Sequence, residues 1–169
     1  MRYGKINLFD VANGEGIRVS LFVSGCNLHC KGCFNQEAQD FNYGSLYTKE
    51  TQDMILKRIA DPRISGLSIL GGDPMCQSSE DLVILTELVD KVNALGKDVW
   101  LWTGFTWGEL WENPVTPSYT RFLLQKCKYI IEGRFELDKR DITLAWRGST
   151  NQRIIDVKKT LAKGEIVLK

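Results

Sequence analysis

No run of apolar residues in this chain approaches the roughly 20 that a spanning helix needs, which excludes a transmembrane helix. Charge of one sign is also missing. Twenty-two basic residues against twenty-one acidic ones leave +1, so there is no electrostatic case for nucleic acid or a membrane surface as partner. The opening Met1-Arg2-Tyr3-Gly4-Lys5 carries no apolar h-region, and no secretory leader is expected. Histidine occurs once, at His29. There is neither a repeat nor a low-complexity tract. Five cysteines are present, but three crowd together, which is not a disulfide framework. A reducing cytoplasm is the compartment that fits. What remains is ordinary for a globular protein, with 43% hydrophobic and 25% charged residues. At 169 residues the chain predicts one domain, 1–169, with a real core and no room for a second.

The crowded cysteines organise the rest. Cys26, Cys30 and Cys33 lie within Ser24-Gly25-Cys26-Asn27-Leu28-His29-Cys30-Lys31-Gly32-Cys33-Phe34-Asn35, in a C-x₃-C-x₂-C spacing. Thiolates this close converge only if the backbone wraps around a point, and Gly25 and Gly32 supply the freedom to do so. A soft metal centre is the natural occupant. Four-iron clusters normally take four cysteines, and the local set stops at three. One iron would then stay open to a small molecule, by the logic that separates catalytic from structural zinc sites. The competing reading is a zinc site with His29 as fourth ligand. Structural zinc usually draws a second ligand pair from a distant knuckle, whereas Cys76 and Cys127 are far apart and unpaired in sequence.

Around this loop the periodicity predicts an α/β chain. Residues 5–9 and 17–23 read as two strands with Asn13-Gly14-Glu15-Gly16 as the turn. That turn is no dinucleotide fingerprint, since the third glycine would fall at Val19. Thr48 caps a helix over 49–60 that stops before Asp61-Pro62. Residues 66–70 form a short strand running into Gly71-Gly72-Asp73-Pro74. Ser78-Ser79-Glu80-Asp81 starts a second helix that ends at Gly96. Residues 98–102 are a strand, 106–126 a weaker helical region broken by Pro114 and Pro117, and 128–131 a further strand. Residues 154–157 and 165–168 read as strands. Alternating strands and helices imply parallel pairing with right-handed crossovers. A complete eightfold barrel takes about 250 residues, so the expected architecture is an open, partial β/α barrel. Loops at the C-terminal ends of its strands would carry the chemistry.

The cysteine spacing is that of the radical S-adenosylmethionine enzymes. The wider text resembles the activating proteins of anaerobic (class III) ribonucleotide reductase. The resemblance rests on Asn13-Gly14-x-Gly16-x-Arg18, Leu21-Phe22-Val23-Ser24-Gly25-Cys26, Cys30-x-Gly32-Cys33-Phe34-Asn35, Gly71-Gly72-Asp73-Pro74, Trp100-x-Trp102-Thr103-Gly104 and Trp146-Arg147-Gly148-Ser149. These segments span about residue 10 to about residue 152.

The resemblance implies the radical S-adenosylmethionine form of the partial barrel. It also implies a 4Fe-4S cluster on Cys26, Cys30 and Cys33, with S-adenosylmethionine on the open iron. Its methionine amino group would sit on Gly72 and Asp73, the latter one carbon shorter than the superfamily's usual glutamate. The residue before the last cysteine is often aromatic in that superfamily. Here it is Gly32, and the aromatic comes after, so adenine contact falls to Gly32, Cys33 and Phe34, although Phe34 is equally readable as core. The implied reaction cleaves S-adenosylmethionine to a 5′-deoxyadenosyl radical, which takes a hydrogen atom from a glycine of the reductase catalytic subunit. A low-potential donor such as flavodoxin would supply the electron. From the residues alone, Gly71-Gly72-Asp73 is equally a plain strand-to-helix turn. A Cβ at Gly72 is expected to intrude where a ligand would approach the backbone. Cys76, three residues past Asp73, lies near the presumed site and reads first as a free buried thiol, with an accessory redox role as the less favoured alternative; Cys127 reads as core. The other motifs read as a hairpin turn and a tryptophan–arginine pair. Three alternatives stay open: an activase of another glycyl radical enzyme such as pyruvate formate-lyase, a radical enzyme of a small-molecule pathway, and a zinc-stabilised interaction module without turnover.

Overall fold

The computed structural model describes every residue, Met1–Lys169. Strands β1 (Arg2–Asp10) and β2 (Ile17–Val23) form an antiparallel hairpin across the predicted glycine turn. A two-residue strand, β3 (Ser45–Leu46), pairs with the start of β1. Then come α1 (Lys49–Ile59), β4 (Ile64–Gly71), α2 (Ser79–Ala94), β5 (Asp98–Trp102), α3 (Ser118–Leu124), β6 (Tyr129–Glu132), β7 (Arg153–Asp156) and α4 (Val157–Lys163). All seven strands join one sheet in the order β3-β1-β2-β4-β5-β6-β7. The central four, β2-β4-β5-β6, are parallel, and antiparallel strands flank them on both sides. β3 and β7 do not pair, so the sheet is open, as expected of an α/β chain of this length.

Alternation along the central strands decides which face meets the helices. Val19, Leu21 and Val23 of β2, Leu67 and Ile69 of β4, and Val99 and Leu101 of β5 are fully buried. They join one apolar core with Ile55 and Ile59 of α1, Leu85, Leu88 and Val92 of α2, and Leu123 of α3. The intervening residues face the other side and are of a different kind: Arg18 and Ser20, Ser68, Trp100 and Trp102. That second face carries a buried polar and aromatic network. Arg18 donates to Ser68 Oγ at 2.7 Å and to the Leu67 carbonyl at 2.8 Å, pairs with Asp98 at 2.8 Å, and lies over the Trp100 ring at 5.3 Å. Trp146 meets Trp100 edge-on at 5.1 Å. A Cβ on Gly14 would fall 2.7 Å from the Arg18 side chain, which explains that glycine.

The helix starts follow their sequence signals. Thr48 caps α1 in a reciprocal box with Thr51, and the Ser78 hydroxyl accepts from the Asp81 amide at the start of α2. Gly96 follows α2 at φ 71°. The region 106–126 is helical and broken at its prolines, as read: a π-helical turn, Gly108–Glu112, and the separate helix α3, with Pro117 as its N-cap. Two readings need correction. Residues 165–168 contribute one bridge, Ile155 to Leu168, because the chain after β7 coils first into α4. Asp156 caps that helix and Gly164 ends it in the left-handed region. Finally, Trp146 does not pair with Arg147. It packs on Trp100, while Arg147 donates to the Gln152 carbonyl at 3.0 Å. No helix is long and apolar enough to cross a membrane.

Candidate active site

The parallel strands end along one edge, and each end runs into a loop of the candidate site. β2 leads into the cysteine loop, β4 into Gly72-Asp73, β5 into Thr103-Gly104 and β6 into Gly133. Backbone bonds close the cysteine loop on itself: the Gly25 amide donates to Ala38 O at 2.7 Å, and the Cys26 amide to Gln39 O at 3.1 Å. Within it, the Cys33 amide bonds to Cys30 O at 3.1 Å, turning the second and third cysteines back toward the first. Gly25 and Gly32 adopt φ of 104° and 73°, the left-handed freedom that wrapping requires.

The loop is stapled to the next strand end. The Gly72 amide donates to Val23 O at 2.7 Å and the Asp73 amide to Gly25 O at 2.8 Å. Gln77, buried and unmarked by any sequence pattern, uses its side-chain amide to bond Ser24 O at 3.0 Å and Asp73 O at 3.1 Å. The Gly72 carbonyl accepts no hydrogen bond, which leaves it free at the site. The room left by Gly72 faces the protein and not a ligand, contrary to expectation: a Cβ there would meet Gly25 O at 2.5 Å and Ala38 O at 2.6 Å.

Asp73 is 2% exposed, and both its carboxylate oxygens are occupied. Oδ1 accepts from the Met75 amide at 2.8 Å and Thr103 Oγ1 at 2.9 Å, and Oδ2 from the Gly104 amide at 2.7 Å. Burial pushes this carboxyl up to about 7, outweighing the donors that favour its charged form. The Thr103-Gly104 pair was legible as a strand end and as part of the family text, with no role attached. The structure makes it the anchor that joins the end of β5 to the end of β4.

One cleft of about 730 Å³, open mouth included, is lined by Cys26, Cys30 and Cys33 together with Gly71, Gly72 and Asp73. Trp102, Phe135 and Gln152 complete its far wall, none of them marked for the site by sequence. Phe34 lies at its margin, 91% exposed, so the reading of this ring as core is wrong. His29 is an exposed loop residue at φ 47° whose Nδ1 lies 3.0 Å from Gln39 Oε1. Cys127 is buried in the core, and burial pushes its thiol up to about 12. Cys76, expected near the site as a buried thiol, is not fully buried. It is half-buried beside Cys26, and the sulfurs of Cys26 and Cys76 lie within 4.8 Å of each other and of an Asp73 oxygen. Hydrogen bonding from Cys76 lowers the Cys26 thiol to about 6 and raises Cys76. Burial raises the Cys30 thiol.

The donor set is that of a soft metal centre. Cys26, Cys30 and Cys33 line the same cleft, and a 4Fe-4S cluster takes its thiolates through different irons. The three cysteines present fit such a cluster.

Comparison with known proteins agrees. Residues 12–155 match the family described as a 4Fe-4S single cluster domain, so the open sheet and its cysteine cleft define an iron–sulfur protein. The chain is 40% identical over 156 residues to the anaerobic ribonucleoside-triphosphate reductase-activating protein of Vibrio cholerae, covering 91% of this chain and 97% of that one. Proteins of the same name from Escherichia coli K12 and Enterobacteria phage T4 are 36% and 35% identical, covering 90% and 91% of this chain and 96% and 93% of their own lengths. The chain belongs to the family of anaerobic ribonucleoside-triphosphate reductase-activating proteins.

Proposed function

We propose that this chain, as a single domain in the cytoplasm, activates an anaerobic ribonucleoside-triphosphate reductase by generating a glycyl radical on its catalytic subunit. Cys26, Cys30 and Cys33 would hold the 4Fe-4S cluster, leaving one iron for S-adenosylmethionine. When bound, the cluster and S-adenosylmethionine would supply reductive cleavage of the sulfonium, with the electron from a low-potential donor such as flavodoxin, and so the means to take a hydrogen atom from a glycine of the partner. The open sheet is then the partial barrel of the radical S-adenosylmethionine type. The observation that carries the reading is the meeting of three cysteines with Gly71-Gly72-Asp73 in one cleft at the ends of adjacent parallel strands.

The chain's own residues bind, orient and exclude. The Gly72 carbonyl, which has no protein donor, would accept the methionine ammonium. Asp73 contributes by fixing that carbonyl's loop, since its oxygens already hold Met75, Thr103 and Gly104. The backbone of Gly32 and Cys33 and the exposed ring of Phe34 offer the adenine a surface at the cleft margin. The mouth is open, so the docked partner both supplies the substrate glycine and shuts out water.

The test mixes anaerobically reconstituted, reduced protein with S-adenosylmethionine and the reductase and follows electron paramagnetic resonance. A carbon-centred doublet on the reductase is expected, absent without S-adenosylmethionine and absent with Cys30→Ala. Turnover of a free metabolite with no such doublet would replace the activase with a small-molecule enzyme.

A further inference from the structure

We propose that Cys26 and Cys76 form a redox pair that closes as a disulfide when the protein is free of its cluster, sequestering one cluster thiol. The two residues stand on different loops, Cys26 after β2 and Cys76 on the short turn Pro74–Cys76 after β4. Their sulfurs are within 4.8 Å. The Asn27 amide points at Cys76 Sγ from 3.4 Å, so the backbone beside one cysteine already contacts the side chain of the other.

The surrounding staples keep the two loops from drifting apart. Asp73 is bonded to Gly25 at 2.8 Å and Gln77 to Ser24 at 3.0 Å, so the residues flanking Cys76 are tied to the two that precede Cys26. Side-chain rotation is then the main motion needed to reach the roughly 2.05 Å of a sulfur–sulfur bond. Both thiols are half-buried rather than enclosed, which lets a small reagent reach them. Cys127, in the core, has no such access.

The oxidant is a small-molecule disulfide of the glutathione type. The Cys26 thiolate attacks it, forming a mixed disulfide and releasing one thiol. Cys76 then displaces the second. Two protein thiols are oxidised, one disulfide is reduced to two thiols, and the two protons leave on the released thiols. The bond withholds Cys26 from iron and from irreversible oxidation until a reductant reopens it. That consequence for iron rests on Cys26 being a cluster ligand, whereas the linkage itself does not.

The experiment takes the full-length, cluster-free protein, reduces it, removes the reductant, and treats it anaerobically with glutathione disulfide. No Lys or Arg separates Cys26 from Cys30, so tandem fragmentation of the tryptic peptides is needed to tell them apart. A Cys26–Cys76 cross-link is expected as the main intramolecular linkage. The linked protein should take up about tenfold less iron than the reduced protein and recover on adding dithiothreitol. Recovery of Cys76 free, or capped by glutathione while Cys26 pairs with Cys30 or Cys33, would overturn the pairing. Full iron uptake by the linked protein would overturn the sequestration. Neither readout uses S-adenosylmethionine or the reductase, so both stand apart from the activase reading.

Discussion

The Gly104 amide donates to Asp73 Oδ2 at 2.7 Å, and through that bond the ends of two neighbouring parallel strands share one buried carboxylate. Asp73→Asn keeps the shape but brings an amide group against the amides of Met75 and Gly104 and the hydroxyl of Thr103. At least one buried donor loses its acceptor, at a cost of about 1–3 kcal/mol. For a chain of this size that lowers Tm by roughly 2–4 °C per kcal/mol. S-adenosylmethionine binding by calorimetric titration is expected to weaken about tenfold for a loss of 1.4 kcal/mol, with iron content retained. An unchanged Tm and affinity would show that the carboxylate is dispensable.

Cys26→Ala, Cys30→Ala and Cys33→Ala are each expected to abolish the 4Fe-4S cluster, because a three-thiolate set has no spare ligand. Cys76→Ala and Cys127→Ala should keep it. Iron and sulfide analysis after anaerobic reconstitution decides. A loop mutant that retains the cluster while Cys76→Ala loses it would reassign the ligands.

Gly72→Val is expected to lower iron content and S-adenosylmethionine binding together. The new Cβ would meet Gly25 O at 2.5 Å and Ala38 O at 2.6 Å, the very backbone that closes the cysteine loop. Loss of S-adenosylmethionine binding alone, with full iron, would mean that the ligand and not the loop feels the change.

Gln77→Glu places a carboxylate against the Ser24 and Asp73 carbonyls that now accept from the amide. A lower Tm and reduced cluster occupancy are expected, with Gln77→Asn failing to restore either because it is one carbon too short. Wild-type behaviour of both variants would remove Gln77 from the frame of the site.

Much of this was legible because the determinants are local. The strand over 17–23, the Thr48 and Ser78 caps and the stop at Gly96 all depend on residues within a turn or two of each other. The grouping of the cysteines with Gly71-Gly72-Asp73 was what the family resemblance implied, and both segments were legible as strand ends. Trp102, Phe135 and Gln152 were not found, since residues become cleft walls only when β5 and the segment after β6 are placed beside β4. Cys76 was placed near the site by its position three residues past Asp73, but its contact with Cys26 depends on the pairing of β2 with β4 and could not be read. α4 was missed although Asp156 and Gly164 bracket it, because its apolar residues are few and the preceding run is β-branched.

The parallel order of the sheet also has a kinetic consequence. β2, β4, β5 and β6 lie side by side in the order in which they are made, each joined to the next by a crossover. Such non-local pairings must pay for loop closure before they are rewarded, which makes them slow steps. The cysteine loop leaves the ribosome early, but the partners that shape it, at Gly72-Asp73 and Thr103-Gly104, arrive later. If these thiols hold the cluster, they are expected to wait uncommitted while the sheet assembles, with iron entering a folded cradle instead of nucleating one. Refolding of the cluster-free chain should then run at the same rate with or without ferrous iron and sulfide, and acceleration by iron in stopped-flow refolding would reverse that order of events.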